Sequence, residues 1–316
     1  MIKATIIADS VSAYSGQRIT TFELEYPRFI HAELMTHRVF SRNSASSRAV
    51  PIDKMIELVQ TNTAEPIHWG SNKSGMQAGD EIVNTTSAIN VWIDARNDAI
   101  KHAKRLQALG LHKQIVNRVL EPFQIIKVLV TATSFDNFFN LRCHKDAQPE
   151  IKHLADLMYE AMQNSDYEVL HTGEWHTPYV HHESNDDDGE LSYFVYDTDP
   201  EGYQFAQYLS TEDAIKVSCS CAAQVSYRKN DTSIEKAINI YDKLVNSSPV
   251  HASAFEHCAT PIDPSFATFP DTQWEKGITH QTADYKFSSG NFTNWIQHRQ
   301  LIPDHDCKEF KGKTHE

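Results

Sequence analysis

The sequence predicts an α+β protein, one interwoven domain in which a mixed or antiparallel sheet packs with long central helices and an inserted loop region. Three observations predict it. Residues 19–26 alternate so that Phe22, Leu24 and Tyr26 share one strand face. Residues 82–109 repeat apolar side chains at helical spacing through Ile89, Trp92, Ala95, Ala99, Ala103 and Leu106. No internal repeat or low-complexity tract divides the 316 residues, and 40% apolar content fills a sizeable core.

In chain order, the stretch from Met1 to Ala8 reads as a first strand, because it lacks the long hydrophobic region and small-residue cleavage pattern of a targeting signal. After the second strand, Pro27 suits the first turn of a helix running to about Phe40. A polar loop from Ser41 to Arg48 follows. Gly110 stops the 82–109 helix as a C-cap would. A helix over about 112–121 buries Ile115, Val119 and Leu120 until Pro122 ends it. The β-branched run to Thr133 reads as a buried strand, and another helix begins near Pro149. Between about 165 and 205 the chain turns polar and aromatic, with Asn185-Asp-Asp-Asp-Gly-Glu190 expected as a solvated hairpin tip. Helices from Thr211 and from Thr232, the latter opening on the capping box Thr-Ser-Ile-Glu235, lead to His251. Beyond Pro261 the expectation is loop, short helix and tail. The core would be residues 1–164 and 206–260, with an insertion at 165–205 and a C-terminal extension at 261–316.

The charge balance excludes whole classes of function. With 29 Lys and Arg against 42 Asp and Glu, the formal net charge is −13, which argues against binding a nucleic acid polymer. Apolar runs such as Val128-Leu129-Val130 are far shorter than the 18 or so residues of a membrane span. Five scattered cysteines (Cys143, Cys219, Cys221, Cys258 and Cys307) make neither a disulfide framework nor a CxxC pair, which fits a reducing cytoplasm. No two glycines fall two apart, so the dinucleotide-binding GxG turn is absent. Gly70 and Gly75 have phosphate-loop spacing, but Met76 stands where the lysine belongs; Gly75 and Gly79 bracket Gln77, not a nucleophilic serine.

Three segments concentrate groups able to do chemistry. The first, Thr36-His37-Arg38 through Arg48, packs three arginines, several hydroxyls and Asn43 into thirteen residues, as a phosphate site or an exposed Ser/Arg loop would. The second, Asn137-Phe-Phe-Asn140-Leu-Arg142, offers either an aromatic slot beside a guanidinium or core phenylalanines with a surface arginine. The third, His251-Ala-Ser253-Ala-Phe255-Glu256-His257, has two imidazoles and a carboxylate but no third ligand at zinc-like spacing, so no metal is expected.

Together these segments resemble the flavin-dependent thymidylate synthases. The family signature RHRxxSxNExSxR is matched by His37, Arg38, Ser41, Asn43, Ser46 and Arg48, with Thr36 in place of the first arginine and Ser44 in place of the glutamate. Arg118-Val-Leu-Glu-Pro122 is similar to the family's RxxLP, and Asn137 to Ile151 to its NFLxLRxxxxAQxEI stretch. The 251–257 segment is similar to HxTPFEH, and Ser220 to Tyr227 to an early AARVSY-like strand. In the family these last two precede the arginine signature; here they follow it, as in a circular permutation.

The resemblance implies reductive methylation of deoxyuridylate (dUMP) to dTMP, with methylenetetrahydrofolate supplying the carbon and NADPH reducing FAD, in a homotetramer and without a cysteine nucleophile. Glu33, Ser46, Ser47, Arg48, Arg118 and Arg142 would bind the nucleotide, Ser46 and Arg142 acting nearest the chemistry. His37, Arg38, Ser41, Asn43, Asn137, Ser226, His251, Ser253 and Glu256 would line the flavin or folate side. Glu33 occupies the place of a family glutamine; one helical turn before His37, it is expected to pair with that imidazole and raise its pKa. Gln297 and Arg299, taken as lying on one short helix, would return to the site as compensation, and the aromatic patch from Gly173 to Tyr179 is either a lid or a self-packed loop. Two other functions stay open: another modification of a pyrimidine nucleotide, such as hydroxymethylation, and a catalytically inactive flavin or nucleotide binder.

Overall fold

The computed structural model describes residues 2–184, 191–199, 201–226, 233–263, 265 and 274–309. Its centre is a five-stranded sheet. Strand β1 (Lys3–Ser12) runs antiparallel to β2 (Arg18–Pro27) from Lys3 opposite Glu25 to Val11 opposite Arg18, with a register shift between Ile6 and Ala8. The order across the sheet is β3 (Ser41–Ser44), β4 (Ile125–Ala132), β2, β1 and β5 (Glu168–Leu170); only the β1/β5 pair is parallel.

Both faces of this sheet are covered, which is why β4 reads as a continuous apolar run. Phe22, Leu24, Tyr26, Val128 and Val130 lie on one face and are buried with Phe138 of α5 (Asp136–Arg142) and Ile151, Leu154 and Met158 of α6 (Pro149–Gln163). The alternate residue Leu129 packs with Ala222, Val225 and Ala254 of a second layer on the other face. That layer contains α7 (Thr211–Ala223) and α8 (Ile234–Val245). Short helices α1 (His31–Leu34), α2 (Ile52–Thr61) and α4 (Lys113–Val116) complete the first half, together with the long α3 (Thr85–Ala108). Ile100 and Ala103 of α3 close over Met55, Ile56 and Val59 of α2. Gly110, at φ +81°, ends α3 as expected, its amide bonding the Gln107 carbonyl.

Several elements differ from the sequence reading. The helix expected to reach Phe40 ends at Leu34, because the Thr36 hydroxyl and amide both take the Glu33 carbonyl and tighten the chain into turns. The 112–121 helix is a single α-turn followed by a 3-10 segment, Asn117–Phe123, that accommodates Pro122. The stretch from Ser220 is the end of α7 and a turn, not a strand; its small side chains are buried between the sheet and the layer outside it. Tyr227 and Thr232 lie outside the described residues, and α8 begins at Ile234 with Ser233 as N-cap.

The insertion is not a loop region. Its described part contains a three-stranded antiparallel sheet of β6 (His181–Ser184), β7 (Leu191–Thr198) and β8 (Gln204–Leu209), whose Tyr193 and Val195 pack against Ala214 and Val217 of α7. The acidic run at 185–190 lies outside the described residues. The aromatic patch before it is core, with His176 fully buried against β1 and β2. Beyond residue 261 the described chain forms short strands ahead of a short 3-10 helix, His298–Leu301: β10 (His280–Gln281), β11 (Phe287–Ser289), β12 (Phe292–Thr293) and β13 (Trp295–Gln297), the last paired with β9 (Ala259–Pro261). The Trp295 indole is buried and donates to the Gln17 carbonyl at 3.0 Å. Among the described residues, no helix is long and apolar enough to cross a membrane.

Candidate functional site

The polar loop after β3 is fixed from both sides. Edge strand β3 buries Ser41, and the Asn43 amide donates to the Ala222 carbonyl at 3.1 Å. Three residues on, the Ser46 amide donates to the Ser226 hydroxyl at 2.8 Å. Asn117, 0% exposed, then donates its amide nitrogen to the carbonyls of Ser47 at 2.7 Å and Val50 at 3.0 Å. So held, Ser46, Ser47 and Arg48 line a cavity of about 820 Å3 shared with Arg28 and Arg118. Glu121 lies within 3.0 Å of Arg28 and 2.7 Å of Arg118, so one carboxylate answers two guanidiniums while Arg48 stays exposed. The surplus is positive in a chain of net charge −13.

A second cavity, of about 740 Å3, is bordered by Phe29, Glu33, Trp92, Arg142 and Gln148. Arg142 reaches it from the end of α5 with all three guanidinium nitrogens engaged. Its Nε donates to His37 Nε2 at 3.0 Å, one terminal nitrogen to Glu33 at 3.3 Å and the other to the Thr36 hydroxyl at 3.4 Å. The expected Glu33–His37 pair is therefore corrected: Arg142 stands between them. His37 is buried against Phe138, ring centroids 4.9 Å apart, and stacked on Phe40 at 5.8 Å. Burial, Arg142 and Arg42 push its pKa down, not up, so it is a neutral acceptor.

The 251–257 segment packs against β3 as a short 3-10 turn, Ala252–Glu256. His251 and Ser253 are exposed, whereas Glu256 is half-buried and ion-paired with Arg299. Gln297 and Arg299 do come back to the arginine-signature segment, though from strand β13 and a following 3-10 turn instead of one helix. Gln297, 1% exposed, donates to Ser41 Oγ at 3.1 Å, to Asn291 Oδ1 at 2.9 Å and to the Glu256 carbonyl at 3.3 Å. Q297A removes the donor to all three acceptors, one of them the buried Ser41 hydroxyl. We expect it to lower unfolding stability by about 2–3 kcal/mol, read from urea midpoints.

The candidate residues thus fall into three groups: Ser46, Ser47, Arg48 and Arg118 at the first cavity, Glu33, His37 and Arg142 at the second, and Ser41, Asn43, Glu256, Gln297 and Arg299 in a seam of internal bonds. Arg38 and Asn137 are exposed, and Ser226 is the loop's anchor. Sequence reasoning missed Arg28, Phe29 and Trp92, which no spacing connects to the motifs, and gave no role to Glu121, three residues after Arg118. No cluster of three His, Cys, Asp or Glu able to hold a metal occurs among the described residues.

A family model described as thymidylate synthase complementing protein matches residues 17–165, the stretch that contributes the arginine loop, Arg118 and Arg142. Over that stretch the chain is similar to the flavin-dependent thymidylate synthases. The flavin-dependent thymidylate synthase of Aquifex aeolicus (strain VF5) is 26% identical over 157 residues, which is 49% of this chain and 48% of that protein. The chain therefore spans about half the length of the curated relative it matches. Among solved structures, a UMP/dUMP methylase PolB from Streptomyces cacaoi bound with 5-Br dUMP is 18% identical at a TM-score of 0.43, over 51% of this chain and 90% of that one. Thymidylate synthase X from Helicobacter pylori with FAD and dUMP is 16% identical at a TM-score of 0.31, over 46% and 67%.

Proposed function

We propose that the protein is a thymidylate synthase that reductively methylates dUMP to dTMP, with methylenetetrahydrofolate as carbon donor, NADPH as reductant and FAD as intermediary, acting as a cytoplasmic homotetramer. The observation that carries this reading is the cluster of Arg28, Arg48 and Arg118 with Ser46 and Ser47 around one cavity of an otherwise acidic chain. Guanidinium forks and serine hydroxyls hold a phosphate dianion, and such local groups outweigh a distant net charge.

The flavin residues fit in part. Arg38, Asn137, His251 and Ser253 are exposed donors of the kinds that take a pyrophosphate or the polar edge of a ring. Ser41, Asn43 and Glu256 are engaged inside the chain and would act by holding the loop. When bound, the flavin would supply the hydride chemistry. Arg142, fixed by Glu33, Thr36 and neutral His37, would orient the pyrimidine and stabilise negative charge that develops on it. The packing of the 251–257 segment on β3 supports reading the motif order as a circular permutation.

Purified protein mixed with FAD and cleared of excess should keep flavin absorption bands and, with the full set of substrates, release dTMP by mass spectrometry. No retained flavin, even with dUMP present, would defeat the proposal. Arg48→Ala or Arg118→Ala should weaken dUMP binding by roughly 10- to 100-fold, the worth of a charge-assisted hydrogen bond, and leave deoxyuridine binding unchanged. Equal losses for both ligands in calorimetry would remove these arginines from the phosphate site.

Glu33 favours a second reading. A carboxylate that shares Arg142 changes what the guanidinium presents to the pyrimidine, and a different modification such as hydroxymethylation would suit it. The mass of the modified nucleotide separates the two.

A further inference from the structure

The negative charge of this chain is concentrated in one segment. From His153 to Ile215 there are 15 Asp and Glu and no Lys or Arg, whereas the rest of the chain holds all 29 cations against 27 carboxylates and is net +2. Within that segment the sheet β6–β8 packs on α7 with one face, and among the described residues the other face is left exposed at His181, Tyr196 and Tyr208. On that face, His181, Phe194 and Tyr208 are register partners across the three strands, and Tyr196 follows two residues along β7. The rings form one cluster: Phe194 lies 5.3 Å from His181, 5.5 Å from Tyr196 and 5.7 Å from Tyr208, centroid to centroid. Tyr196 is 52% and Tyr208 61% exposed. Glu183 accepts the Tyr208 hydroxyl at 3.1 Å, and Asp197, Asp199 and Glu201 stand where β7 turns toward β8.

We propose that this face docks a basic, arginine-bearing segment of another protein. Aromatic faces with carboxylates beside them attract cations twice over, through the ring quadrupole and through net charge, and the planar guanidinium stacks where an ammonium does not. Exposed aromatics alone would also suit the bases of a single-stranded nucleic acid, but a segment of 15 carboxylates with no cation repels its phosphates. The chain's own described arginine cluster is committed to the cavity at Arg48. Charge complementarity therefore points to a basic partner outside this chain.

The probe is a fluorescein-labelled twelve-residue peptide of alternating Arg and Gly, titrated by anisotropy against the full chain, with Lys-Gly and Glu-Gly peptides of equal length beside it. The Arg peptide should bind more tightly than the Lys peptide, the Glu peptide not at all, and added salt should weaken the complex. Y196S/Y208S should weaken the Arg peptide roughly tenfold and erase its advantage over Lys, and E183Q/E201Q should weaken both cationic peptides alike. Both tyrosines are half-exposed or more, so circular dichroism should be unchanged; the single variant Y196S repeats the test if the double variant unfolds. Arg and Lys peptides that bind equally, with no response to Y196S/Y208S, would reduce the effect to diffuse charge and overturn the proposal. So would sedimentation showing that the face joins two copies of this chain.

Discussion

Arg142→Ala should abolish most turnover, by about 10²- to 10³-fold in kcat, the usual cost of removing one preorganised donor to developing charge. Three partners position the guanidinium. His37 accepts its Nε hydrogen at 3.0 Å, and Glu33 and Thr36 hold the two terminal nitrogens. That set demands a fork, so R142K, which keeps the charge as a single ammonium, should recover only a small part of the rate. Protonating His37 would place a cation against the Arg142 Nε–H and break the acceptor. Because burial and two neighbouring arginines already push its pKa down, the rate should not fall until pH drops below the ordinary imidazole range. A kcat for R142A within threefold of the parent chain, at saturating nucleotide, would take Arg142 out of the chemistry.

The placement of Arg142 also explains what the sequence conceals. Glu33 and His37 have the spacing of neighbours on a helix, but the helix stops at Leu34 and the guanidinium from α5, over a hundred residues away in sequence, enters between them. Spacing predicts contacts only while the element that carries it persists. Where periodicity is strong the reading holds: β2 alternates, α3 repeats through Trp92 and Ala103, and α6 opens at Pro149. The insertion hides its strands because β7 is aromatic on both faces, Tyr193 and Val195 inward and Phe194 and Tyr196 outward, so no alternation shows. The end of α7 hides for the opposite reason, since Ser218-Cys-Ser-Cys221-Ala-Ala has small residues all round and no polar face. In the C-terminal extension the strands are two or three residues long, below the length at which a pattern exists.

Of the candidate site, the arginine loop and the 251–257 segment were legible as motifs, and their meeting at β3 depends on long-range packing. Gln297 was expected to return to the site, but which groups it meets there was not legible. Its partners, Ser41 and Asn291, come from opposite ends of the chain.

The same interior should make the protein acid-labile. A buried chain of hydrogen bonds runs from Ser10 to His176 at 2.9 Å, from His176 to Thr21 at 2.8 Å, across to Thr131 at 2.7 Å and on to His257 at 2.8 Å. It ties the insertion and the 251–257 segment to the central sheet through two imidazoles that are 0% exposed. Burial lowers both to a pKa of about 3, with His182 and His257 adding to the effect at His176. In the unfolded chain each titrates near its ordinary value of about 6.5. Stability from these groups is complete above that value and falls as pH drops toward 3, because the unfolded state takes up two protons that the folded state refuses. At pH 5 the two together cost about 4 kcal/mol, against a typical total of about 5–15 kcal/mol. His298, lowered to about 4, steepens the same fall. Urea midpoints should therefore drop sharply between pH 6.5 and 5, with a proton uptake near two or three per unfolding event. His176→Gln should lower stability at pH 7, since one amide cannot reproduce both ring bonds, and should flatten the pH dependence by about one proton. A midpoint equal at pH 5 and pH 7 in the parent chain would mean that these imidazoles are already protonated when folded, against the burial of both rings.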